Sequence, residues 1–167
     1  PRLRIRVCLL KMERADLVLW AIGCMTTHLS TDDLQTTQDL LQDYAPAQPA
    51  LATLRHHHGD LESSLEELAA AGTAVYGEDR KTLRQVFLAN LRRELCGDDS
   101  FREKVEEYNK NPAQASLLTG LIVYVVELIA LPWMSPAIAT VAVLWVLKIG
   151  LRTFCDYTEP SETPGDG

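Results

Sequence analysis

The feature that most constrains this chain is a nearly uncharged stretch over residues 117–151, LLTGLIVYVVELIALPWMSPAIATVAVLWVLKIGL. Two prolines, Pro132 and Pro136, interrupt it at a short turn, PWMSP. Proline lacks the backbone N–H and restricts the residue before it, so one continuous helix through both prolines is disfavoured. The stretch therefore predicts two apolar helices joined by a turn, and we call residues 113–155 the hydrophobic hairpin.

Each arm of the hydrophobic hairpin is close to the length that a bilayer requires. At about 1.5 Å per residue, residues 115–131 span roughly 26 Å and residues 137–154 roughly 27 Å. A hydrocarbon core is about 30 Å thick and needs about 20 apolar residues per helix. Glu127 opposes insertion, because a carboxylate at depth costs on the order of 3 kcal/mol. Lys148 opposes it less, since its amine lies near the open end and can reach the interface.

The flanking charges favour contact with a membrane. Basic residues precede and follow the hairpin and its turn carries none, so insertion leaves the helical domain and both hairpin ends on the cytoplasmic side. Lys110, Lys148 and Arg152 are the predicted anchors. The predicted membrane-inserting side chains come from both arms and the turn: Leu117, Ile122, Val126, Leu131, Trp133, Ile138, Val143, Trp145 and Leu147.

Glu127 is the residue of the hairpin with a predicted functional role. An acidic group at membrane depth indicates a pore-lining group or a proton-sensitive switch. Burial favours the neutral form of a carboxyl group, which would ease insertion at low pH. The alternative is that Glu127 faces solvent or protein, paired with a base such as Arg14 or Arg84.

The residues before the hairpin predict amphipathic helices. Leu83, Phe87, Leu91 and Leu95 recur at helical spacing. Ser-Thr-Asp-Asp at residues 30–33 predicts a capped helix start, and Ser-Phe-Arg-Glu at 100–103 a capping box. We expect an all-α fold: a soluble domain of five or six amphipathic helices over residues 1–112, followed by the hairpin.

The ends of the chain follow different patterns. Residues 1–14 begin with alternating basic and apolar side chains, which predict a short strand, an extended arm or the start of a helix. Residues 15–25 are an apolar run that is too short to span a membrane and suits a buried helix. The acidic tail over residues 156–167 is rich in proline and glycine, and we predict that it is disordered.

The net charge and the spacing of the cysteines limit the classes of function that the chain can have. The net charge of −7 argues against nucleic-acid binding, which requires a basic surface. The four cysteines, Cys8, Cys24, Cys96 and Cys155, are widely spaced in mostly apolar surroundings. They predict reduced thiols rather than a disulfide framework or a zinc site, which fits a cytoplasmic soluble portion.

His56, His57 and His58, with Asp60 and Glu62, form the sequence cluster that most resembles metal ligands. Consecutive residues of a helix point about 100° apart, so three adjacent helical histidines cannot all face one ion. Zinc ligands usually lie at spaced positions such as i and i+4. We therefore predict no metal and no cofactor, with a pH-sensitive surface patch as the alternative role.

No motif in the sequence indicates an enzyme. Cys24 and His28 have the i, i+4 spacing of helical neighbours, but in an apolar helix this spacing favours packing over a catalytic dyad. The sequence contains no G-x-S-x-G, P-loop or dinucleotide fingerprint. We expect no catalysis and no small-molecule substrate.

Two functions are consistent with these patterns. In the first, the hairpin inserts in or anchors to a lipid membrane. There it either anchors an interaction domain or permeabilises the membrane as a homo-oligomer, since a single hairpin cannot line a pore. In the second, the chain is a soluble all-α interaction or adaptor module whose buried core is the hairpin, with a helical protein partner. A hairpin sheathed by the chain's own amphipathic helices is similar, in architecture only, to water-soluble pore-forming domains of the colicin kind, which shield an apolar hairpin until it meets a membrane.

Overall fold

The computed structural model describes residues 27–73 and 80–159, and the side chains of residues 27–72 and 85–159. Within these ranges the chain forms eight α-helices and no strand, so the predicted all-α fold is confirmed. The helices in chain order are α1 (Thr31–Leu40), α2 (Gln48–His56), α3 (Leu61–Thr73), α4 (Arg80–Cys96), α5 (Asp99–Lys110), α6 (Ala115–Leu128), α7 (Pro136–Ile149) and α8 (Leu151–Tyr157), with a 3-10 turn (Ala45–Ala47) before α2.

Several predicted features fall outside the described residues. These are the strand or arm over residues 1–14, the apolar run over 15–25 with its Cys24, and the last part of the tail, residues 160–167. His28, the predicted helical neighbour of Cys24, is described and pairs with Asp60 in an isolated β-bridge. The described part of that tail begins inside α8, which continues to Tyr157.

Helix α7 is the centre of the fold. Residues 137–146 are all buried, because α2, α3, α6, α8 and the 3-10 turn pack around this helix. Helix α6 has one buried face, formed by Leu118, Leu121, Ile122 and Val125. A helix that is apolar on all sides must be covered by protein or lipid, and here protein covers α7.

The surrounding helices are amphipathic and each contributes an apolar face to one core. Helix α4 buries Phe87, Leu91 and Leu95, and α5 buries Phe101 and Val105. These side chains belong to the same buried cluster as the residues of α6 and α7. The core therefore includes side chains from both the predicted soluble domain and the hairpin. The division of the chain into these two parts stays a prediction.

Side-chain caps determine where helices α1 and α5 begin. The Ser30 hydroxyl accepts the Asp33 N–H at 3.1 Å, and the Asp33 carboxylate accepts the Ser30 N–H at 3.0 Å, so the predicted helix start is confirmed. The capping box predicted at residues 100–103 is wrong. Helix α5 begins two residues earlier than this box predicts, because the Asp98 carboxylate accepts the Phe101 N–H at 2.5 Å and makes Asp98 the N-cap. Aspartate and serine cap equally well, so the choice depends on the backbone path.

Cys96 and Cys155 form a disulfide, so the prediction of reduced thiols is wrong for this pair. Their Cα atoms are 5.9 Å apart although 59 residues separate them in sequence. The two cysteines meet because α8 packs against α4, where the Arg92 Nε donates to the Cys155 carbonyl at 3.1 Å. Such a contact depends on tertiary packing and leaves no trace in cysteine spacing.

Candidate functional site

The two arms of the hydrophobic hairpin are each 14 residues long, shorter than predicted. Helix α6 ends at Leu128, and α7 ends where Gly150 has a φ of +87°. Glycine adopts this left-handed backbone readily because it has no Cβ. Helix α8 then departs at 104° to α7, so the prediction of one continuous arm over residues 137–154 is wrong.

The lengths of these helices give limited support to a membrane-spanning hairpin. Among the described residues, no single helix is both long enough and apolar enough to cross a bilayer. Pro136–Ile149 and Leu151–Tyr157 reach the length and composition of a span only when taken together, and the 104° bend divides them.

The predicted membrane-inserting side chains are surrounded by protein in this fold. Ile122, Ile138, Val143 and Trp145 are fully buried. The others are partly buried: Leu117, Val126, Leu131, Trp133 and Leu147. Two of the aromatic rings pack on other rings, Trp145 on Phe154 with centroids 5.8 Å apart and Trp133 on Phe87 at 5.0 Å. The tip of the hairpin is therefore in contact with α4.

The predicted anchors and switch residue lie at the surface of the bundle. Lys110, Glu127 and Arg152 are exposed, and the side chains of the two predicted partners of Glu127 are outside the described residues. Lys148 Nζ donates to the Asp33 carboxylate at 2.7 Å, which joins the end of α7 to the start of α1. This hydrogen bond holds the pKa of Asp33 below its usual value.

A groove that the sequence did not predict runs along the outer face of α6. Its floor is formed by small side chains at helical spacing, Ser116, Thr119 and Gly120, followed by Val123. The end of α1 and the turn after it form one wall, and the cavity has a volume of about 600 Å³. A Cβ added at Gly120 would meet no atom within 4 Å, so the floor is open. The small residues were the available sequence signal, but the wall depends on tertiary packing.

The rim of this α6 groove is mainly acidic. Asp39, Asp43 and Glu127 contribute carboxylates, whereas Lys104 is the one basic side chain among the described lining residues. The Lys104 amine lies 5.2 Å from the centroid of the Tyr124 ring. The Tyr124 hydroxyl donates to Asp98 at 2.9 Å, and this hydrogen bond raises the pKa of Tyr124. The groove thus combines a floor of small side chains with a net negative edge.

The histidine cluster approaches an acid that the sequence did not indicate. One ring nitrogen each from His56 and His57 and one carboxylate oxygen of Glu67 lie within 4.8 Å of one another. Asp60 instead caps the start of α3, because its carboxylate accepts the N–H groups of Glu62 and Ser63 at 3.0 and 3.1 Å. Glu67 follows His57 by ten residues and approaches it because α2 packs against α3.

Comparisons with known proteins do not indicate a function for these surfaces. Comparison with protein-family models, with curated proteins and with solved structures finds no match for this chain.

Proposed function

We propose that this chain is an all-α protein-interaction module in which the hydrophobic hairpin is the buried core. The observation that carries the proposal is the cover of α7, whose residues 137–146 are all buried against neighbouring helices. Each large apolar side chain buried in this way contributes about 1.5–3 kcal/mol. Exposing α7 to lipid would require α2, α3 and α8 to leave it, and their own apolar faces would then lose their cover.

The α6 groove is the proposed partner site. Ser116 and Gly120 are one helical turn apart, and small residues at this spacing let a second helix approach closely. The acidic rim formed by Asp39, Asp43 and Glu127 favours a basic partner, because complementary charge directs association. We therefore infer an amphipathic helix with apolar anchors at i, i+3 or i+4 and i+7 and with flanking lysines or arginines. The proposed activity is binding, without catalysis.

Selection of peptides on the purified protein tests the partner site. From a displayed library of helical peptides, we expect enrichment of sequences with apolar residues at helical spacing and basic flanks. Gly120→Leu fills the groove floor and should weaken their binding at least tenfold. Ala89→Leu adds the same side chain at an exposed position of α4 outside the groove and should leave binding unchanged. No enrichment, or equal binding by Gly120→Leu, would contradict the proposal.

Conditional insertion into a membrane is the second candidate function. It is favoured by one observation, the combined length and apolar composition of Pro136–Ile149 and Leu151–Tyr157. In this case the hairpin leaves the bundle, both its ends stay on the cytoplasmic side and homo-oligomers permeabilise the bilayer. We expect the unaltered chain to float with liposomes at pH 5 but not at pH 7. The Glu127→Gln variant should float at both pH values. Absence of flotation at either pH would eliminate this candidate, and dye leakage would separate a pore from an anchor.

A further inference from the structure

We propose that His56, His57 and Glu67 form a zinc site with one open coordination position. Their three potential ligand atoms lie within 4.8 Å of one another on the surface of the α2–α3 pair. Two imidazole nitrogens and one carboxylate oxygen are the donor set of open zinc sites, in which water occupies the fourth position. The proposal is independent of the function proposed for the α6 groove, since it rests on different helices and different side chains.

The end of α2 explains how two adjacent histidines approach one point. Within a continuous helix their side chains would diverge by about 100°. Helix α2 ends at His56, however, and His57 is its C-cap with φ −86° and ψ 12°. His58 follows with a φ of +56°. The His56 and His57 rings accordingly lie edge to face, with centroids 5.1 Å apart.

The turn between α2 and α3 holds Glu67 beside these histidines. Gly59 N–H donates to the Leu54 carbonyl at 2.7 Å, and the Gly59 carbonyl accepts the Leu29 N–H at 2.9 Å. Asp60 then caps the start of α3. With the two helices fixed in this way, Glu67 Oε2 lies 2.5 Å from His57 Nε2. The scaffold therefore supplies the proximity, and the site does not depend on a mobile loop.

Zinc binding requires only adjustment of side chains. Zinc–ligand bonds of about 2.0–2.2 Å place tetrahedral donor atoms roughly 3.4 Å apart. The His57–Glu67 contact must widen toward that spacing, while the more distant donor pairs must close toward it. His56 and Glu67 are exposed and His57 is half-buried, so the ion can enter from solvent. The bound ion would replace the direct His57–Glu67 contact and link α2 to α3.

Calorimetric titration of the untagged full chain with Zn²⁺ tests this site. We expect one equivalent to bind, with affinity reduced at least tenfold in both His57→Gln and Glu67→Gln. His58→Asn is the matched control: it removes the neighbouring imidazole outside the cluster, and asparagine tolerates a positive φ. This variant should bind zinc as tightly as the unaltered chain.

A thermal melt and the Co²⁺ spectrum provide readouts that do not depend on calorimetry. Zinc should raise the melting temperature of the unaltered chain and of His58→Asn by roughly 5 °C, because the ion binds the folded state, and should leave Glu67→Gln unchanged. Cobalt should give the intense visible bands of tetrahedral coordination. The proposal is overturned if no ion binds, or if Glu67→Gln binds as tightly as the unaltered chain, which would mean that the histidine tract chelates alone. Loss of binding in His58→Asn would overturn it as well.

Discussion

Asp33 connects two distant parts of the chain through a single carboxylate. It accepts the Ser30 N–H at the start of α1 and the Lys148 amine at the end of α7. The hydrogen bond to Lys148 holds the pKa of Asp33 below its ordinary value of 3.8. Because the folded-state pKa is lowered, this stabilisation is present above the ordinary pKa and is lost as the pH falls through the folded-state pKa.

Replacing Asp33 tests this connection. Asp33→Asn should lower the free energy of unfolding at pH 7 by about 0.5–1 kcal/mol, a modest loss because solvent screens a surface ion pair. The difference from the unaltered chain should shrink as the pH falls through the folded-state pKa of Asp33, because the native carboxyl group then becomes neutral. Urea unfolding at pH 7 and at a pH below that folded-state pKa measures both values. Asp32→Asn is the control in the same helical turn, and a loss that is equal at both pH values would contradict the role of the ion pair.

Gly59 and Gly120 are expected to respond to alanine in opposite directions. Gly59 has a φ of +93°, and a Cβ there would lie 2.3 Å from the Leu29 carbonyl oxygen. Gly59→Ala should therefore cost at least about 2 kcal/mol through backbone strain and steric overlap. Gly120 lies inside α6 with open space around it, so Gly120→Ala should stabilise the protein by about 0.5–1 kcal/mol. Chemical denaturation of both variants gives the comparison, and effects of the same sign would contradict it.

Among the helices, the link between α4 and α8 is covalent. The Cys96–Cys155 disulfide joins residues 59 apart in sequence, and closing a loop of this length stabilises a protein by about 2–4 kcal/mol. Cys155→Ser should lower the free energy of unfolding by that amount. Reduction should destabilise the unaltered chain similarly and leave the Cys96→Ser, Cys155→Ser double variant unchanged. An unaltered chain that is insensitive to reductant would show that this bond contributes nothing.

The two arms of the hairpin should differ in their sensitivity to the same substitution. Val143 in α7 is fully buried, whereas Val123 in α6 is 38% exposed. Val143→Ala should cost about 2–3 kcal/mol, from two lost methyl groups and the cavity left behind. Val123→Ala should cost less than about 0.5 kcal/mol, as is usual at a surface position. Denaturation in detergent-free buffer measures both, and equal costs would be inconsistent with α7 as the core.

Sequence patterns predicted helices more reliably than their ends. The proline turn, the cap at Ser30 and the amphipathic spacing of α4 all follow from local chemistry. The break at Gly150 was missed because apolar residues continue beyond it at Leu151 and Phe154, although glycine often ends a helix. The predicted start of α5 is wrong by two residues, because Asp98 and Ser100 are both good caps. These errors all depend on the backbone path, which single residues specify weakly.

For the whole molecule, the sequence identified the hydrophobic hairpin but not what covers it. Lipid and a protein core select the same apolar side chains, so composition cannot distinguish the two. The choice depends on whether the apolar faces of α2, α3 and α8 meet α7, which is a tertiary relationship. The α6 groove and the approach of Glu67 to His57 were missed for the same reason, since each brings together helices whose contact no local pattern encodes.

Hydrogen–deuterium exchange of the α7 amides at pH 7, with and without liposomes, tests most directly whether the hairpin is the core. Amides of a fully covered central helix exchange only through the largest unfolding events. We therefore expect residues 137–146 to be among the slowest-exchanging positions in detergent-free buffer, and equally slow after liposomes are added. Rapid exchange in buffer that becomes slow only with liposomes would place α7 in lipid and contradict the account.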